Sequence, residues 1–163
     1  MALLPILRWP DPRLSTRCAP AEFGPDLDRL AADMLETMYD APGRGLAAPQ
    51  VGVLLRLFVM DVAWKEGIAD PLVMVNPEIL WSSDTRVEGP EGCLSIPDVT
   101  TLVPRAESIR LRWSALDGSV QEATLTGMAA ICAQHEYDHL DGLVTLDRLT
   151  AEARAEALAG YSA

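Results

Sequence analysis

The only two histidines in this chain stand four residues apart, in His135-Glu136-Tyr137-Asp138-His139. On an α-helix that spacing stacks both imidazoles on one face, about one turn apart. Two imidazoles held this way can share one divalent ion, and Glu136 between them is near enough to handle a proton. The flanking residues constrain the fold. From Gly127 to Asp141 small and apolar side chains stand on nearly every side, which predicts a helix buried at the centre of the molecule. Thr126 is placed to cap its start and Gly142 to stop it. Such a helix needs sheet wrapped around it, and the rest of the chain must supply that sheet.

Leu27, Leu30, Ala31, Met34, Leu35 and Met38 recur at helical spacing after Pro25-Asp26, predicting a helix over 26–39 that Ala41-Pro-Gly-Arg-Gly45 ends. Leu54 to Asp61 and Leu72 to Val75 are short, apolar and β-prone, as buried strands are. Residues 107–116 and 119–125 flank Asp117-Gly118, a strong hairpin signal. A short Ala/Glu-rich helix is expected over 150–159. No repeat, low-complexity tract or linker divides the sequence. The pattern predicts an α+β fold, one domain over 1–163, with mostly antiparallel sheets wrapped around a central helix that carries the two histidines.

Composition narrows the function classes. With 49% hydrophobic and 23% charged residues the chain reads as a soluble globule, and no apolar run is long enough to span a bilayer. The opening Met1-Ala-Leu-Leu-Pro5 lacks the basic first stretch of a signal peptide, so a cytoplasmic location is expected. Cys18, Cys93 and Cys132 cannot all pair. A formal net charge of −11 disfavours strong binding to nucleic acid or to an anionic membrane. Arg105, Arg110 and Arg112 read as a solvated strand face. Monomer is the default expectation.

A catalytic metal site commonly has three protein ligands and an open position. After His139 the candidates are Glu152 and Glu156, both on the expected terminal helix. Upstream stands a better candidate, Cys93, in Glu91-Gly92-Cys93-Leu94-Ser95, where glycine and serine allow a sharp backbone at a strand end. A free cysteine is more commonly a small buried hydrophobe, so on these grounds alone its role stays open. Cys132, one turn before His135, is expected as a pocket or core residue.

Three segments then occur in order: Gly43-Arg-Gly-Leu-Ala-Ala-Pro-Gln50, Glu91-Gly-Cys-Leu-Ser95 and Gln134-His-Glu-Tyr-Asp-His139. In this the chain resembles the peptide deformylases, which carry G-x-G-L-A-A-x-Q, E-G-C-L-S and Q-H-E-x-D-H at about this spacing. The resemblance runs from Pro10-Asp11 to Asp147. It implies a metal-dependent hydrolase that removes the formyl group from the N-terminal methionine of newly made proteins, releasing formate. It implies Cys93, His135 and His139 as metal ligands and Glu136 as general acid/base. Gln50, through its side-chain amide, and Leu94, through its backbone N–H, would hold the developing oxyanion. Arg44, Gly45 and Gly92 would lie along the substrate, and Leu125, Met128 and Ile131 could line a pocket for the methionine side chain.

One divalent ion is implied, with Fe(II) expected and Zn(II), Ni(II) or Co(II) compatible with a thiolate and two imidazoles. The partners implied are formyl-Met nascent polypeptides, with the ribosome as a transient one. Arg105 matches a family position and could pair with Glu91 or Asp138. The sequence departs from the family at Arg44, at Thr100 and at Gly89-Pro90, all expected near the substrate groove. Arg44 must either extend to solvent or lie across the cleft mouth and find a carboxylate. The alternative reading is a deformylase-like paralogue that holds metal and peptide with weak activity or on another N-acyl substrate. An H-E-x-x-H endopeptidase fits less well, because Gln50 and Cys93 precede the histidines.

Overall fold

The computed structural model describes residues 2–162. Its helices are α1 (Pro25–Asp40), α2 (Gly127–Leu140) and α3 (Ala151–Leu158). Its strands are β1 (Gly45–Ala47), β2 (Leu57–Met60), β3 (Leu72–Ser82), β4 (Arg86–Cys93), β5 (Ile96–Ala106), β6 (Ser108–Ser114) and β7 (Val120–Thr126). Five strands form one antiparallel sheet in the order β1-β2-β3-β6-β7, and β4 and β5 form a separate antiparallel ribbon. This is the expected α+β class.

β2 shows why its sequence is apolar without alternation. All four of its residues are buried, because helices cover both faces of the sheet there. Phe58 and Met60 join Ala130, Ala133 and Leu140 of α2, whereas Leu57 and Val59 join Leu27, Met34 and Met38 of α1. Each fully buried side chain of this size contributes roughly 1.5–3 kcal/mol. The sheet is thereby clamped between a helix that only packs and a helix that also carries the histidines. Met128, in the first turn of α2, is exposed, so this helix is buried in its second half and open at its start.

The α1 and α3 predictions hold to within a residue or so, and Thr150 caps α3 by accepting from Ala153 N–H. At the end of α2, Gly142 adopts φ +78°, with Leu143 N–H bonded to Asp138 O and Gly142 N–H to His139 O. That pair of bonds ends the helix at a left-handed glycine. Thr126 occupies the predicted capping position, but its side chain makes no capping hydrogen bond. The hairpin forms around Leu116-Asp117-Gly118, with Gly118 at φ +85° and Ala115 exchanging backbone bonds with Gly118 and Ser119.

Two strand boundaries differ from expectation. The segment 54–61 narrows to Leu57–Met60, because Leu54 O and Arg56 N–H bond instead to the backbone of Ala19. The segment 72–75 extends to Ser82, through Asn76-Pro77, which in sequence reads as a turn. A register shift between Val75 and Glu78 spares the sheet the missing Pro77 N–H. Asn76 sits at φ 49° there, held by two bonds between its amide and the backbone of Ala21. The β4–β5 ribbon shows in sequence only as the strand end expected at Cys93. Gly89, Pro90, Gly92, Pro97 and Pro104 hide its alternation.

Candidate metal centre

The ribbon and α2 build the site between them. β4 and β5 meet at a tight tip, with Cys93 paired to Ile96 and a register shift between Gly92 and Cys93. Cys93 packs there among Leu14, Ile96, Val144 and Leu146. The tip carries Cys93 to α2, where its Sγ lies 3.5 Å from Nε2 of His139. Ligand atoms of Cys93, His135 and His139 all lie within 4.8 Å of one another, and all three residues are buried. A cleft of about 510 Å³ opens onto this cluster. Arg44, Gly45, Gln50, Gly92, Cys93, Leu94, His135 and Glu136 line it, whereas His139 sits behind them, only 1% exposed.

The donor set fits a divalent cation. One thiol and two imidazoles converge, and both His139 Nδ1 and Glu136 Oε1 are buried without a hydrogen-bond partner among the described residues. His135 turns its Nδ1 to Glu91 Oε1 at 3.0 Å, which leaves Nε2 facing the cluster. Burial holds the His139 pKa well below its ordinary value, aided by the charges of His135 and Arg105. At His135 burial acts in the same sense, but Glu136, Cys93 and Glu91 outweigh it and raise the pKa well above normal. A proton held there is the one that a cation would displace.

Glu136 points into the same space, its Oε2 lying 3.9 Å from His135 Nε2. Burial pushes its pKa up to about 7, with Glu91 and Asp138 acting in the same direction against His135 and Arg105. A carboxyl poised there can both accept and give up a proton near neutrality. Gln50 is 1% exposed and held at both ends of its amide. Its Oε1 accepts from Ala47 N–H at 3.0 Å, and its Nε2 donates to Ser95 Oγ at 3.0 Å and faces Cys93 Sγ at 3.6 Å. Ser95, fully buried, is therefore a support that the sequence reading passed over, although it closes the Glu91–Ser95 segment.

Other residues fall as follows. Cys132 lines the cleft with Sγ 3.6 Å from Arg44 O, and burial, then the charges of Glu136 and Glu91, push its thiol pKa well up. It is a pocket wall outside the ligand cluster, as expected. Met128, Ile131, Pro90 and Thr100 also line the cleft; Leu125 packs against the core beneath α2. Arg44 finds a carboxylate, but one of the protein's own. Its Nη2 is 3.3 Å from Glu66 Oε1 and its Nε donates to Val62 O. Lys65, the one lysine in the sequence, lies beside it on the cleft wall, 5.8 Å from the centre of the Trp64 ring.

Arg105 corrects the reading of an arginine face. Arg110 and Arg112 are surface residues on β6 that pair with Glu122, but Arg105 is 4% exposed. Its guanidinium forms a two-bond fork to Glu91, both bonds 2.9 Å, and reaches Asp138 Oδ2 at 2.6 Å. It thus pairs with both carboxylates. The alternation of β5 places Arg105 on the face turned toward α2, which a three-arginine count in sequence does not reveal.

A family profile for polypeptide deformylase matches residues 3–155. The chain is similar to the peptide deformylase of Alkalilimnicola ehrlichii, 53% identical over 151 residues, covering 92% of this chain and 84% of that protein. The crystal structure of a peptide deformylase from Legionella pneumophila superposes with a TM-score of 0.90 at 43% identity, covering 96% of this chain and 91% of that one. That of a Synechococcus elongatus peptide deformylase in complex with actinonin gives 0.92 at 36% identity, covering 98% and 89%.

Proposed function

The chain belongs to the peptide deformylase family, and from that premise we propose that it removes the formyl group from the N-terminal methionine of newly made proteins, using a metal ion held by Cys93, His135 and His139. The observation that carries this reading is the convergence of those three buried ligand atoms within 4.8 Å at the floor of an open cleft. The alternative of a weakly active paralogue is less favoured, given 53% identity to a protein named peptide deformylase.

A divalent ion contributes Lewis-acid chemistry, acidifying water and polarising a carbonyl. The residues of the chain do the rest. Glu136, buried beside His135 with one carboxyl oxygen free of a partner among the described residues, takes the proton of the attacking water and delivers it to the departing amine nitrogen. As the formyl carbon becomes tetrahedral, its oxygen gains negative charge, and Gln50 Nε2–H and the Leu94 N–H donate to it. The bonds from Ala47 and to Ser95 fix the Gln50 amide before substrate arrives. One such preorganised donor is worth about 3 kcal/mol of transition-state stabilisation. Gly45 and Gly92 leave backbone open to the peptide at the cleft wall. The products are formate and a free N-terminal amine.

Fe(II) is the metal in this reading, with Zn(II), Ni(II) or Co(II) able to occupy the same donors. Fe(II) held beside Cys93 would make the site oxygen-sensitive. The reading treats 1–163 as one working domain, monomeric and cytoplasmic, that meets nascent chains near the ribosome. Among the described residues no helix is long and apolar enough to cross a membrane. The test is formate release from a formyl-Met peptide by protein loaded anaerobically with Fe(II). Release no greater than that of the metal-free protein would overturn the proposal.

A further inference from the structure

A continuous chain of charged groups leads from the surface to His135. Glu91 Oε1 accepts from His135 Nδ1 at 3.0 Å. Arg105 grips both oxygens of Glu91 and reaches on to Asp138. Beyond Asp138 stands Arg148, in the short turn Thr145–Arg148 that follows α2. Its Nη2 lies 2.7 Å from Asp138 Oδ1 and its Nε 3.1 Å from Asp138 Oδ2. Glu91, Arg105 and Asp138 are all at least nine-tenths buried, whereas the Arg148 side chain is 45% exposed.

Behind His135, two guanidinium groups face two carboxylates. Without Arg148, Arg105 alone would have to serve both Glu91 and Asp138. Arg105 already makes its shortest contact, 2.6 Å, to Asp138. An Asp138 left without its outer partner would draw Arg105 toward itself and loosen the fork on Glu91, since a buried carboxylate stripped of a partner is strongly unfavourable. Glu91 is what orients the His135 ring through Nδ1. Groups of this kind behind a metal-bound histidine typically alter affinity or activity about 10- to 100-fold when removed.

We infer that Arg148 is a positioning residue for the metal centre, acting through Asp138, Arg105 and Glu91 on His135. Arg148 does not line the cleft, and its side chain bonds Asp138 and none of Cys93, His135 and His139. The inference rests on the ligand set proposed above. Its result should be a His135 ring held ready for the metal, and so a slow loss of metal.

The experiment compares the Fe(II)- or Zn(II)-loaded parent with Arg148→Met, which keeps the stem and removes the charge, and with Arg148→Lys. Arg154→Met serves as a control, since it breaks a neighbouring exposed pair, Arg154 to Asp147 at 3.3 Å, that makes no ion pair with Glu91, Arg105, Asp138 or His135. The expected result is metal loss to a chelator about tenfold faster in Arg148→Met, with kcat lowered and KM unchanged. Arg148→Lys should recover part of both, and Arg154→Met should match the parent. Equal metal loss in the parent and Arg148→Met would overturn the role of Arg148 while leaving the ligand set intact. So would the same change in Arg148→Met and Arg154→Met. Should Arg148→Met fail to fold, Arg148→Gln decides: it removes the charge but keeps a polar end that can still bond Asp138, and metal loss at the parent rate would overturn the inference. A parent that holds no metal would overturn the ligand set, and the role of Arg148 with it.

Discussion

A Cβ atom built on Gly45 stands 2.6 Å from Oε2 of Glu136 and 2.9 Å from Sγ of Cys132. The second glycine of Gly43-Arg44-Gly45 is therefore where β1 passes directly over the proposed acid/base, leaving no room for a side chain. Gly45→Ala must push Glu136 aside. A displacement of about 1 Å can cost on the order of a hundredfold in rate. The expected outcome is a folded, metal-binding protein whose kcat falls at least tenfold, measured by formate release alongside metal content. An unchanged kcat would mean that Glu136 has no fixed position to lose.

Binding and proton transfer should separate on α2. His139→Ala is expected to lose most of its metal by elemental analysis, because it removes one of the three converging donors. Glu136→Gln keeps shape and hydrogen bonding but removes the base. It should retain metal while turnover drops by at least about a hundredfold. Full metal occupancy in the first variant, or near-normal turnover in the second, would contradict the assigned roles.

Arg44 is already engaged with Glu66 and Val62 O, and its side chain is one-third exposed. An exposed pair of this kind is worth about 0.2–1 kcal/mol. An Arg44 free across the cleft mouth would narrow access or favour substrates with an acidic group; with its charge answered by Glu66, that preference should be small. Arg44→Ile is expected to change the kcat/KM ratio between matched acidic and neutral formyl-Met peptides by less than about threefold. A larger change would show that substrate displaces Glu66.

Tyr39 gives a pH signature outside the cluster of Cys93, His135 and His139. Burial, then donation of its hydroxyl to Asp61 at 2.6 Å, raises the phenol from the ordinary 10.0 to about 12. The native state thus holds this proton more tightly than the unfolded chain. Its contribution to stability is complete below pH 10 and is lost as pH rises through about 12. A spectrophotometric titration of the native protein should show a phenol ionising near 12, and Tyr39→Phe should remove that step. An identical titration curve in the variant would rule it out.

The sequence exposes those parts of the fold whose signals are local. Apolar spacing marks α1, and Asp117-Gly118 marks the β6–β7 hairpin, because each depends on its own residues. The His135–His139 pair shows its chemistry for the same reason. What lay hidden depends on distant partners. β4 and β5 carry glycines and prolines that a two-stranded ribbon tolerates and a local pattern rejects. Arg105 looks like its exposed neighbours until α2 places Asp138 against it. Arg148 gives no sign in sequence of the ten-residue return that joins it to Asp138. The flanking glycine and serine make Cys93 the better candidate for a third ligand, but only the resemblance joins it to the histidines, since spacing alone cannot bring 93 beside 139.

Lys65 has a practical consequence. Internal amine chemistry usually scatters over a protein surface, but this sequence offers such reagents one lysine, and that lysine lies on the wall of the cleft. A dye, cross-linker or solid support attached through it would sit at the substrate entrance. Labelling at that nitrogen turns a routine handling step into an occlusion of the site. The same selectivity makes Lys65 an address for anchoring a reporter within sight of the entering peptide.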